Sequence, residues 1–145
     1  MKKIFFLSLM MLFVAVSAMA KTKGVKEFHA YYTQHLDPDP RNAGNWKIGE
    51  VEELKDPYVI LYSKNYIRVG GTSYFIDKAT VQNKDYTPEE NPGYGKSIAF
   101  AAASLIGEEI FVTIEYGNRE NPNLWGFSIF DRANQGHFYL GELQP

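Results

Sequence analysis

"YVILYSKNYIRVGGTSYFI", residues Tyr58 to Ile76, decides how the rest of the chain is read. Tyr58 to Ser63 is a compact apolar and aromatic run, and Lys64-Asn65 is a plausible tight turn. Tyr66 to Val69 then returns, and Gly70-Gly71 is the strongest two-residue hairpin signal in the chain. A two-residue hairpin needs positive φ angles, which glycine adopts without a steric penalty. Ser73 to Gln82 follows as a further strand. Segments joined by connections this short pair antiparallel.

The same pattern continues toward the C-terminus. Lys96–Leu105, Glu109–Tyr116, Leu124–Asp131 and His137–Leu143 read as strands, separated by turn or loop residues that include Gly117, Pro122 and Gly136. Upstream, Asn45 to Glu53 alternates, with Trp46, Ile48, Glu50 and Glu52 on one side. The expectation is about eight strands in an antiparallel meander. Such a sheet must manage its two edge strands, which closure into a barrel removes, so a barrel or strongly curled half-barrel is expected. A β-sandwich is the alternative. Residues 83–95, "NKDYTPEENPGYG", form the longest loop after residue 45, and loops of that length often carry function. Before the strands, Val25, Phe28, Tyr32 and Leu36 recur at spacings of three and four, which predicts a short N-terminal helix over 21–36. The aromatic "EFHAYY" within it is also compatible with a strand. Asp37-Pro38-Asp39-Pro40 ends regular structure, because each proline lacks a donor and restricts its predecessor.

The first twenty residues read as a secretory signal peptide rather than as part of the fold. Lys2 and Lys3 precede an apolar run from Ile4 to Val16, and Ser17-Ala18-Met19-Ala20 gives the small-x-small pattern cut before Lys21. Residues 21–145 are then expected as a single exported β-rich domain, periplasmic or extracellular, with no integral membrane segment after cleavage. There is no cysteine, so packing and hydrogen bonds alone must hold it. The chain carries 15 basic and 17 acidic residues, a mildly acidic balance that speaks against a nucleic-acid partner.

Catalysis finds little support. His29, His35 and His137 do not show the i, i+4 pairing of a helical zinc site. Glu52-Glu53 and Glu108-Glu109 are neighbours whose side chains diverge on a strand. No serine elbow or cysteine nucleophile is present, and no cofactor is called for. The candidate ligand-binding residues are Trp46, Phe100, Ala102, Ser104, Trp125, Tyr86 and Tyr94. Ile98, Phe100, Ala102 and Ser104 share one face of a strand that holds four alanines in residues 99–103. Small side chains there either leave room for a ligand or admit close packing. Trp125 alternates with Phe127 and Ile129 and suits a core position as well as a rim. Tyr86 and Tyr94 lie in the long acidic loop, where aromatic side chains can anchor a partner.

Gly44-Asn45-Trp46 resembles the G-x-W signature of the lipocalins and their calycin relatives. The resemblance rests on those residues and on chain order: a short N-terminal segment, then G-x-W, then a run of strands. It implies an up-and-down barrel with G-x-W on the first strand. It also implies that the tryptophan closes the barrel floor against a basic residue near the last strands, for which Arg132 is the candidate. The functional expectation is an exported, non-catalytic protein that binds a small apolar or amphipathic ligand. A protein-interaction or inhibitor module acting through its loops is the alternative.

Overall fold

The computed structural model describes residues 24–38 and 46–145. The expected signal segment and Gly44-Asn45 lie outside the described residues, as does the Trp46 side chain. Nine strands occur among the described residues: β1 (Lys26–Pro38), β2 (Trp46–Tyr62), β3 (Tyr66–Val69), β4 (Thr72–Ile76), β5 (Gln82–Asp85), β6 (Tyr94–Ala103), β7 (Glu109–Asn118), β8 (Leu124–Asp131) and β9 (Gly136–Leu143). They form one antiparallel sheet in the order β4-β3-β2-β1-β9-β8-β7-β6-β5. β4 also pairs with β6, through Phe75↔Ala103 and Ile76↔Ala102, and so closes the sheet into a ring. The observed architecture is a single closed sheet and not a two-sheet sandwich.

The expected N-terminal helix is corrected by β1. Residues 26–38 are extended, and the described residues contain no α-helix. Irregular pairing accounts for the misleading spacing. The register between β1 and β2 shifts twice, between Ala30 and Tyr32 and again between Gln34 and Leu36. Buried positions therefore fall at Phe28, Ala30, Thr33 and Leu36, not at every second residue. A β-bulge has turned a strand's period of two into something close to a helix's.

β4 and β5 act as one interrupted strand along the edge of β6. Between them Lys78–Thr80 makes one 3-10 turn, started by the Asp77 carboxylate accepting from the Ala79 N–H. The turn breaks the ladder opposite Ala101, and two bonds repair it. The Asp77 N–H donates to the Ala101 carbonyl at 2.9 Å, and the Ala101 N–H donates to the Thr80 hydroxyl at 2.9 Å. The alanine at 101 on the outer face leaves space for this turn to approach.

Inside the ring the centre is filled. Phe28, Ile60, Ile67, Ile114 and Phe127 are completely buried and share one cluster with Phe100, Ala102, Ile110 and Val112. These residues sit at alternate positions of β1, β2, β3, β6, β7 and β8, so alternation toward an enclosed face explains the pattern. Gly141 is required by this packing. A Cβ there would come within 3.0 Å of the Phe127 ring and 3.1 Å of the Phe28 Cβ.

Candidate functional site

We call the end of the ring filled by aromatic side chains the closed end and the end that carries a surface cleft the open end. The closed end is aromatic. Trp125 on β8 stacks on Tyr116 at 4.8 Å between centroids and tilts against Phe28, also at 4.8 Å. The Lys26 ammonium lies 6.0 Å from the Trp125 ring, at the outer limit of cation–π reach. Tyr62 stacks on Phe100 at 6.1 Å. Burial, reinforced by Tyr116, pushes the Tyr62 phenol above its ordinary range.

Toward the open end the lining turns polar. Tyr58 and Tyr139 stack at 4.8 Å and 11°. Burial and the neighbouring Tyr58, with which it shares a hydrogen bond, hold the Tyr139 phenol far above the usual range. Tyr74 is shifted the same way, by burial first and then by Glu108 and Tyr58. Beyond them the β1–β9 register sets His35 opposite His137, with ring centroids 4.8 Å apart. His35 Nε2 also meets Asp37 Oδ1 at 3.0 Å. The sequence gives no hint of this pairing, because it depends on which distant strand β1 chooses as its second neighbour. No cluster of three or more metal-ligating side chains occurs among the described residues.

Beside this lining the turns after β6 and β8 border a shallow surface cleft of about 380 Å³. Tyr74 and Ile110 supply its aromatic and apolar wall, and Glu108, Glu109, Asp131 and Arg132 supply its charged rim. Arg132 Nε meets Glu109 Oε2 at 3.1 Å, with the arginine 77% exposed. Such a pair holds little energy of its own, and both charges can turn to a ligand.

The residues singled out from the sequence do not converge on this cleft. Phe100 and Ala102 are buried in the core, 4% and 3% exposed. Ser104 belongs to a turn, where its hydroxyl accepts from the Glu108 N–H. Trp125 belongs to the closed end. Tyr86 is tied to Ser97 by a 3.1 Å hydroxyl contact and lies under Lys84. Arg119 clamps the loop between β5 and β6 by donating to the Tyr86 and Asn91 carbonyls. Thr87 and Glu90 bond each other reciprocally in the same loop. The Tyr94 hydroxyl lies where a Gly126 Cβ would meet it at 3.4 Å, and burial raises its pKa. The loop is thus fastened to the sheet rather than free at a rim. Trp46 opens β2, its backbone paired with Pro38, so G-x-W precedes the second strand and not the first. Arg132 is engaged with Glu109. The expected approach of Trp46 to Arg132 involves a side chain outside the described residues; a tryptophan–cation contact that is described joins Trp125 and Lys26.

No protein-family model, curated protein or solved structure matches this chain.

Proposed function

We propose that the protein is an exported, non-catalytic binding protein that takes a small amphipathic ligand at the open end of its ring. The cleft between Tyr74, Ile110 and the charged turn residues carries this reading. Its volume falls within the range of small-molecule sites, and an aromatic and an apolar side chain stand there beside charged groups that can orient a polar head. The packed centre limits the depth of entry. A ligand's apolar part would rest on Tyr74 and Ile110, while its polar part meets Arg132 or the acidic rim. A calycin-type barrel is the finer reading of the ring, supported by the antiparallel closure and the tryptophan at the closed end. Export is supported by the N-terminal sequence pattern, and the mass of the exported chain should correspond to cleavage between Ala20 and Lys21.

The test is binding of an environment-sensitive amphiphile such as 8-anilinonaphthalene-1-sulfonate by the purified domain. Saturable enhancement should weaken at least tenfold in Tyr74→Ala and respond to Arg132→Glu. Enhancement that is absent, or unchanged in both variants, would sink the proposal.

A further inference from the structure

β2 is seventeen residues long, yet β3 pairs only with Ile60, Leu61 and Tyr62. Over residues 46–53 the strand pairs with β1 on one side and has no strand of the described residues on the other, and residues 54–57 stand out of the β1 register. Its outer backbone donors and acceptors on that edge have no strand partner among the described residues. The side chains are exposed: from Lys47 to Pro57 all are exposed except Leu54. Ile48 and Val51 are 63% and 62% exposed. Soluble proteins blunt a free edge with charge, proline and bulges, and Glu50, Glu52, Glu53, Asp56 and Pro57 fit that description. Solubility alone does not account for two β-branched apolar residues displayed on the same edge strand.

A second observation lies beside the edge. A hollow of about 340 Å³ is lined by Tyr32, Thr33, Gln34, Val51, Phe138 and Leu140. Val51 and Phe138 both pair with Gln34, and Leu140 pairs with Tyr32, so the hollow runs across β2, β1 and β9. Val51 belongs both to the hollow and to the open strand. Charge narrows the occupant. Residues 47–57 contain four acids and two lysines, Lys47 and Lys55. A second copy of the same edge would meet its own excess of negative charge, whereas a basic strand would neutralise it.

We propose that the free edge of β2 receives an extended, basic segment of a partner protein as an added strand. Main-chain hydrogen bonds to the regular edge over residues 47–53 supply the affinity. Alternate apolar side chains of the segment lie beside Val51 and reach the hollow, and its lysines or arginines face the acids. This site is separate from the cleft at the open end and does not rest on the ligand reading.

The experiment uses the purified chain and two fluorescein-labelled heptapeptides, one alternating valine with lysine and one alternating valine with glutamate. The valine–lysine peptide should bind saturably and at least tenfold more tightly, with affinity falling as salt is raised. Hydrogen exchange of amides 47–53 should slow on binding. The triple change Glu50→Lys, Glu52→Lys, Glu53→Lys should reverse the preference. Val51→Asp and, separately, Ile48→Asp should weaken binding, and both positions are exposed enough to leave folding intact. Equal binding of the two peptides, or binding that leaves exchange at 47–53 unchanged, would overturn the proposal. Self-association of the wild-type chain that Val51→Asp abolishes would also overturn it, by giving the edge to a second copy.

Discussion

At the scale of single residues, the enclosed face tolerates very little change. Gly141 shows this most directly. The Cβ of an alanine there would press on Phe127 at 3.0 Å and on the Phe28 Cβ at 3.1 Å, and both neighbours are completely buried. Gly141→Ala should therefore cost about 1–3 kcal/mol, read as a lower urea midpoint with an unchanged slope. Alternation marks Phe127 as suited to the core, whereas Phe100, read as a candidate ligand residue, proves to be buried in the core as well. The sequence cannot mark Gly141, because a glycine carries no hydrophobic signal and its role exists only once β1 and β9 are side by side. The His35–His137 contact is hidden for the same reason.

At the scale of elements, most strands after residue 45 are legible because period-two patterning and turn chemistry agree. The pairs Lys64-Asn65 and Gly70-Gly71 fall between strands as their chemistry requires, with Gly70 and Gly71 both at positive φ. β1 is illegible because its register shifts leave buried residues at near-helical spacing. The break between β4 and β5 is illegible for a different reason. Ser73 to Gln82 reads as one strand, and only the Asp77 cap and the Thr80 hydroxyl show that it is two. Thr80 therefore carries a prediction that belongs to this scale. Thr80→Val keeps the shape but removes the acceptor for the Ala101 N–H, leaving a donor in the middle of β6 without its bond. The cost should be about 1–3 kcal/mol, and the Ala101 amide should exchange faster while amides in β8 are unaffected. Equal acceleration across the sheet, or none at Ala101, would argue against the repair role.

At the scale of the whole molecule, the tyrosines of the ring give stability a pH limit. Tyr62, Tyr74, Tyr94 and Tyr139 all have folded-state pKa values raised above 10.0, in each case chiefly by burial. The folded state holds these protons more tightly than the unfolded chain does. Their contribution is fully present below about pH 10 and is lost as pH rises through the folded-state values. The urea midpoint should stay level at neutral pH and fall steeply above about pH 10, with phenolate absorbance at 295 nm rising together with unfolding. A midpoint independent of pH up to 11.5 would contradict this. Replacing Tyr139 by phenylalanine should shallow the fall.

The pairing of β1 with β9 sets a timetable for synthesis. Strands β6 to β9 are joined by hairpin-length connections and can pair as they are made, but β1 waits for the last strand. Even the Gln144 N–H is used, donating to the Glu27 carbonyl near the opposite terminus. The ring therefore cannot close before β9 has been made, however early the hairpins upstream of it form.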